Sequence, residues 1–123
     1  MSKKKVMLVD DNEQVLTVTT RILSAMGWEV LAFPDPQVAV EIVDKINPKI
    51  DLLFTDFNMP RMNGAELIKI IKEKKPNIKT ICMSGLDNKK DCDSNGCNIF
   101  LSKPVGVSEI QMAVDELFPP RSR

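Results

Sequence analysis

Short apolar runs that each end in a small polar or charged group are the feature that most constrains how this chain folds. Runs of this kind are typical of strands buried on both faces of a sheet. Segments with apolar residues at helical spacing separate them, and this alternation predicts a parallel α/β sheet covered by helices. Five strands are predicted, at about residues 4–10, 28–33, 50–56, 78–83 and 98–102.

Residues typical of helix ends mark most of the helices between these strands. Gly27 ends the first helix, Asp35-Pro36 begins the second, and a third covers residues 64 to about 75. A capping box at residues 108–111 places Ser108 at the start of the last helix.

The segment at residues 86–97 is different, because it has almost no apolar periodicity. It is rich in Asp, Asn, Ser and Gly, whose side chains and flexibility compete with a helical backbone. We therefore expect a fourth helix that is short or irregular.

Size and charge balance limit the classes of protein to which the chain can belong. At 123 residues it has the length of one domain. Seventeen basic residues balance seventeen acidic ones, so no net positive field favours direct binding of nucleic acid. The apolar runs are too short for a membrane span or a signal peptide, and the odd number of cysteines suggests reduced thiols. We expect a cytoplasmic protein without membrane contact.

The 123 residues contain no histidine. Ser–His and Cys–His catalysis and a histidine-built zinc site are therefore excluded within them. If a phosphoryl group reaches this chain from a histidine, that histidine must belong to a partner protein.

Polar groups follow four of the predicted strands, and the carboxyl ends of parallel strands meet at one edge of a sheet. Asp10 and Asp11 follow the first strand, Asp56 ends the third, and Ser84 and Lys103 follow the fourth and fifth. Three carboxylates repel one another unless a hard cation such as Mg²⁺ lies among them. One carboxylate can then attack a phosphoryl group, with the lysine ammonium as a second positive charge.

Each of these groups also has an ordinary structural explanation. Asp10-Asp11 could begin a helix, and Asp56 or Ser84-Gly85 could belong to turns at strand ends. A lysine before a proline, as at Lys103-Pro104, is ordinarily solvated. A phenylalanine in an apolar run, such as Phe100, is ordinarily a core residue. Only the presence of all the groups at successive strand ends favours a shared site.

Four motifs carry these groups: Val9-Asp10-Asp11-Asn12, residues 55–64 (TDFNMPRMNG), Met83-Ser84-Gly85 and Leu101-Ser102-Lys103-Pro104. In this order and spacing, the chain resembles the receiver (CheY-like) domain of two-component response regulators over essentially its whole length. The resemblance implies a three-layer (βα)₅ flavodoxin-like fold with a five-stranded parallel sheet in the order 2-1-3-4-5. We expect a receiver domain over residues 1–118 and a flexible tail, or the start of a linker, at 119–123.

The resemblance also implies residue roles in a phosphorelay. Asp56 is implied to be the phosphorylated residue, and Asp11 and Asp56 to bind Mg²⁺, or Mn²⁺ in its place, through their carboxylates. Asn58 is implied to bind the metal through its backbone carbonyl, and Asp10 mainly through water.

Further implied roles concern the phosphoryl group and the response to it. Lys103 is implied to pair with the acceptor and then with the phosphoryl group, before a peptide bond to Pro104 that is often cis in this family. Ser84 is implied to bind the phosphoryl group, and Ser84 and Phe100 to form a switch pair that changes the conformation. The implied partners are a histidine kinase or histidine phosphotransfer protein, and a downstream protein target or fused output domain.

The leading hypothesis is therefore a phosphoacceptor signalling switch, with only self-phosphorylation and self-dephosphorylation activity. A Mg²⁺-dependent aspartyl-phosphate phosphohydrolase is the second hypothesis, although the Asp-x-Asp motif usual in such enzymes is not seen after the first strand. A module that binds partners without phosphorylation is the third.

Overall fold

The computed structural model describes residues 3–86 and 88–120. Five parallel strands form one sheet in the order β2-β1-β3-β4-β5, which confirms the predicted flavodoxin-like fold. The strands are β1 (Lys5–Val9), β2 (Glu29–Phe33), β3 (Leu52–Asp56), β4 (Lys79–Ser84) and β5 (Ile99–Ser102). The helices are α1 (Glu13–Ala25), α2 (Pro36–Lys45), α3 (Gly64–Lys74), α4 (Lys89–Ser94) and α5 (Val107–Leu117).

Helices cover both faces of the sheet, and alternate strand residues enter two separate core clusters because side chains in a strand alternate between faces. In β1, Met7 and Val9 pack with α2, α3 and α4, whereas Val6 and Leu8 pack with α1 and α5. All four side chains are fully buried. This two-sided burial explains why the central strands are continuous apolar runs in the sequence.

Side-chain caps at three helix starts set where the loops end and the helices begin. Asn12 caps α1, Asp35 caps α2 with Pro36 as the first helical residue, and Asn63 caps α3 in a reciprocal capping box with Glu66. The caps therefore fix where each connection after β1, β2 and β3 passes into its helix.

The start of the last helix differs from the prediction. Ser108 lies inside α5, which begins at Val107, so the predicted capping box is wrong. Gly106 precedes the helix instead, and its N–H donates to Oε1 of Glu109 at 2.9 Å. Glycine has no side chain that could cap the helix, so the glutamate alone supplies a bond at this end.

The fourth helix is short, as predicted. α4 has six residues, and only Cys92 among them is buried. Its polar composition leaves little apolar surface to hold it against the sheet.

None of the helices in residues 3–86 and 88–120 is long and apolar enough to span a membrane. Pro119 and Pro120 are exposed and follow α5. The remaining tail positions, 121–123, lie outside the described residues, as does Asp87.

Candidate functional site

The carboxyl ends of neighbouring strands place the predicted site residues along one edge of the sheet. Asp10 directly follows β1, while Asp56 and Ser84 are the last residues of β3 and β4. Lys103 directly follows β5, and its N–H donates to the carbonyl of Ser84 at 2.8 Å. The parallel register therefore joins groups that are up to 93 positions apart in the chain, from Asp10 to Lys103.

Three carboxylates form an acidic cluster at this edge. One oxygen from each of Asp10, Asp11 and Asp56 lies within 4.8 Å of the other two. Asp10 and Asp56 are almost completely buried, whereas Asp11 is exposed. Carboxylate oxygens at this spacing, with one open to solvent, suit a hard divalent cation that keeps some of its water.

Asp10 has the least compensated charge in the cluster. Its Oδ1 accepts the N–H of Asn12 at 2.9 Å, but its buried Oδ2 has no hydrogen-bond partner among the described residues. Burial raises the pKa of Asp10 from 3.8 to about 6, and the charges of Asp56 and Asp11 add to the increase. An unpaired buried carboxylate oxygen beside two other acids fits a cation site.

Asp56 is paired with a positive charge. The Nζ of Lys103 lies 2.6 Å from Oδ1 of Asp56, although the contact lacks the alignment of a hydrogen bond. The lysine side chain is one-third exposed, so the ammonium can remain hydrated on one side while it neutralises the buried acid. The peptide bond between Lys103 and Pro104 is cis.

Ser84 lies at the site, but its hydroxyl is used elsewhere. Ser84 Oγ donates to Oδ1 of Asn88 at 2.7 Å and accepts the N–H of Leu86 at 3.0 Å. The serine is fully buried, so both bonds lie within the protein. The structure therefore brings Ser84 to the strand edge with its proton directed to the residue that precedes α4.

The two remaining predicted site residues lie near this edge without a role visible in their contacts. Asn58 is exposed in the loop between β3 and α3. Phe100 is half-buried in β5, pairs in register with Cys82, and packs against the core below α2, α3 and α4.

Sequence reasoning missed two residues that shape the site. Asn88 is an asparagine in a polar segment, and nothing in the sequence distinguishes it as the partner of Ser84. Gly64 was predicted only as the start of the third helix, but a Cβ there would lie 2.6 Å from the carbonyl oxygen of Asp56 and 2.9 Å from Cα of Phe57. The only available signal was the glycine itself, since close approach of two backbones requires it.

Comparison with known proteins agrees with this geometry. The family model described as response regulator receiver domain matches residues 6–115. The chain is 28% identical over 125 residues to sporulation initiation phosphotransferase F of Bacillus subtilis (strain 168), with 99% of each protein covered. It is 32% identical over 112 residues to the DNA-binding transcriptional regulator NtrC of Proteus hauseri, covering 89% of this chain and 23% of that protein.

Solved structures show the same fold. A chain of the CheX–CheY–BeF3–Mg²⁺ complex from Borrelia burgdorferi superimposes with a TM-score of 0.85 at 27% identity, covering 95% of this chain and 90% of that one. By contrast, the chain spans a fifth or less of the length of several curated relatives that it matches. The match over residues 6–115 and the strand order together show that the chain belongs to the response regulator receiver domain family of two-component systems.

Proposed function

We propose that Asp56 accepts a phosphoryl group and that the chain is thereby a phosphoacceptor signalling switch. The observation that carries the proposal is the buried Asp56 carboxylate, held 2.6 Å from the Lys103 ammonium beside the carboxylates of Asp10 and Asp11. This arrangement combines a nucleophile, a counter-charge and a cation site at one sheet edge.

We propose that the phosphoryl group comes from a phosphohistidine on a histidine kinase or a phosphotransfer protein; the 123 residues contain no histidine that could carry it. An oxygen of Asp56 attacks phosphorus, the P–N bond breaks, and the imidazole nitrogen of the donor takes the electron pair. As the new P–O bond forms, the Lys103 ammonium leaves the carboxylate and pairs with the phosphoryl oxygens.

Mg²⁺ is the metal that we propose for the acidic cluster, with Mn²⁺ as a substitute. Asp11 and Asp56 would hold it through carboxylate oxygens, Asn58 through its backbone carbonyl, and Asp10 mainly through water, as the family resemblance implies. The buried Oδ2 of Asp10, which has no partner in the part of the chain that the structure describes, supports a cation here. A metal held there would supply positive charge to offset the negative charge of the phosphoryl oxygens.

The response to phosphorylation begins at Ser84. Its hydroxyl donates to a phosphoryl oxygen on Asp56, and the ring of Phe100 shifts with it to change the surface built by α4, β5 and α5. The change is a population shift between two packings, biased by the new charge.

We propose that the chain acts in the cytoplasm, where kinase phosphodonors and reduced cysteines are found, and that its own activity is limited to self-phosphorylation and slow self-dephosphorylation. Its output is a downstream protein target or a fused output domain attached after residues 119–123. Some curated relatives are much longer than this chain, which supports a fused output domain. We therefore propose the two arrangements equally.

Incubation with Mg²⁺ and acetyl phosphate, followed by intact-protein mass spectrometry, tests the proposal. We expect one hydroxylamine-labile phosphoryl group per chain, absent in Asp56→Ala and in EDTA. Asp51→Asn is the matched control, because Asp51 precedes the same strand at the opposite edge and accepts the N–H of Lys5, a bond that asparagine can keep.

Two other outcomes contradict the switch. Rapid turnover of acetyl phosphate and other phosphate esters without a stable adduct indicates a phosphohydrolase. Failure of the folded chain both to bind Mg²⁺ and to form an adduct indicates a module that binds partners without phosphorylation.

A further inference from the structure

The start of α4 differs from the starts of α1, α2 and α3. The residues that precede those three helices are Asn12, Asp35 and Asn63, which have extended backbones with ψ of 112°, 120° and 171° and side chains that accept a helix N–H. Asn88 occupies the corresponding position before α4, and asparagine is among the best capping residues. Its ψ is 15°, however, and its side chain makes no capping bond.

The side chain of Asn88 instead bonds to Ser84, the last residue of β4. Its Oδ1 accepts the proton of Ser84 Oγ at 2.7 Å. The backbone carbonyl of Asn88 still accepts the N–H of Cys92 at 3.1 Å. The first turn of α4 therefore has its main-chain hydrogen bond but lacks a hydrogen bond from a capping side chain.

Ser84 has one hydroxyl proton, so it cannot donate to Asn88 and to a phosphoryl oxygen at the same time. A charged phosphoryl oxygen is the stronger acceptor. Once Ser84 donates to it, Oδ1 of Asn88 loses its partner, while the early N–H groups of α4, at Lys90 and Asp91, are those that a capping side chain would satisfy.

We propose that Asn88 is a positioning residue whose side-chain oxygen alternates between Ser84 and the N-terminal N–H groups of α4. In the unphosphorylated protein Asn88 holds the Ser84 hydroxyl and leaves α4 uncapped. Phosphorylation of Asp56 draws the hydroxyl away, and Asn88 then turns to an extended backbone conformation and caps α4. This inference rests on the proposed phosphoacceptor function and names the step that carries its signal into α4.

The short length of α4 makes such a cap consequential. The helix has six residues and buries only Cys92, so tertiary packing contributes little to its stability and helix-end bonds contribute a large share. An N-cap typically changes a helix opening equilibrium by roughly fivefold. Phosphorylation can therefore order α4 without any new contact to its outer surface.

Amide hydrogen exchange of residues 89–95, measured by NMR with and without Mg²⁺ and beryllofluoride, tests the proposal. In the wild type we expect exchange to slow by roughly fivefold when beryllofluoride binds. In Ser84→Ala, Asn88 is free to cap in every state, so exchange should be slow already without ligand. If the Ser84–Asn88 bond only supports the local structure, Ser84→Ala instead exchanges as fast as the wild type or faster, and the proposal fails.

Two variants at position 88 separate the two bonds. Asn88→Ala can neither hold Ser84 nor cap α4, so we expect fast exchange with and without beryllofluoride. Asn88→Ser can cap α4 but is too short to reach Ser84, so we expect slow exchange in both conditions. Exchange in Asn88→Ala that slows on beryllofluoride binding as much as in the wild type contradicts the proposal.

The experiment separates this proposal from the phosphoacceptor function. The comparison of Ser84→Ala with Asn88→Ala needs no ligand, so it tests the alternation of Asn88 even if no adduct forms on Asp56. Conversely, an adduct on Asp56 in a wild type whose α4 exchange does not change supports the phosphoacceptor function and contradicts the role of Asn88.

Discussion

At the scale of single residues, the buried carboxylate of Asp10 lowers the stability of the fold. Its carboxylate is 1% exposed, one oxygen has no partner among the described residues, and burial raises its pKa to about 6. A group whose pKa is raised on folding binds its proton more tightly in the folded state. The charged form therefore lowers the free energy of unfolding, and this effect is complete above about pH 6. The effect disappears as the pH falls towards 3.8.

Asp10→Asn should therefore stabilise the metal-free protein. Asparagine removes the charge and keeps an acceptor for the N–H of Asn12. We expect the free energy of unfolding at pH 7.5 to rise by about 1–3 kcal/mol, with little difference from the wild type near pH 4. Urea denaturation in EDTA at the two pH values measures this.

Asp11→Asn is the control for the Asp10 variant, because Asp11 belongs to the same acidic cluster but is exposed. Its free energy of unfolding should change by no more than about 0.5 kcal/mol. Destabilisation of Asp10→Asn at pH 7.5 would show that the buried charge is compensated in a way that these contacts do not reveal.

Gly64 is a second residue whose identity is set by the site. A Cβ there would lie 2.6 Å from the carbonyl oxygen of Asp56, and backbone atoms cannot move aside as a flexible side chain can. We expect Gly64→Ala to lower the free energy of unfolding by about 1–3 kcal/mol. Gly85→Ala is the matched control, since its nearest contact is 3.9 Å away, and equal effects of the two variants would contradict the clash.

At the scale of secondary-structure elements, the central strands and the capped helices agree with the sequence pattern to within two residues. The prediction for the start of α5 was wrong, because a serine followed three residues later by glutamine matches a capping box locally although the chain begins the helix earlier. α4 was correctly expected to be short, since its polar residues give no apolar face. Its length and end contacts depend on packing that no local pattern records.

The contact between Cys92 of α4 and Cys82 of β4 provides a test of how firmly α4 packs. Cys92 is buried, and its Sγ lies 3.1 Å from Sγ of Cys82. This hydrogen bond, with burial adding to it, raises the pKa of Cys92 to about 12, so little thiolate exists at pH 8. We expect Cys92 to react with a disulfide reagent at pH 8 more than about a hundredfold more slowly in the folded protein than in urea.

Mass spectrometry of peptides that contain Cys92 separates its labelling from that of Cys82. Rapid labelling of Cys92 in the folded protein, at the rate found in urea, would show that α4 does not stay packed over β4.

At the scale of the whole molecule, a cation held by the acidic cluster would link metal binding to folding. Three carboxylates with oxygens within 4.8 Å of one another repel in the folded state, and a cation that binds only this state stabilises it by mass action. At ten times its dissociation constant, Mg²⁺ should raise the melting temperature by about 5 °C. Calorimetry with NaCl at equal ionic strength separates binding from screening, and equal shifts with the two salts would contradict a specific site.

Much of this protein is determined by the sequence alone. The buried apolar runs and their spacing determine five parallel strands, because continuous apolar runs are stable only where both faces of a sheet are covered. The positions of Asp10, Asp56, Ser84 and Lys103 at strand ends then bring them to one edge, because parallel strands end on the same side.

Only the tertiary structure decided how these groups are paired. Among residues 3–86 and 88–120, it leaves one oxygen of Asp10 without a partner, sets Lys103 against Asp56, and gives the Ser84 proton to Asn88. Such pairings depend on side-chain directions and backbone angles of residues that lie far apart in the chain or in an aperiodic loop. Periodicity specifies which face a residue occupies, whereas packing in three dimensions specifies the atom that it contacts.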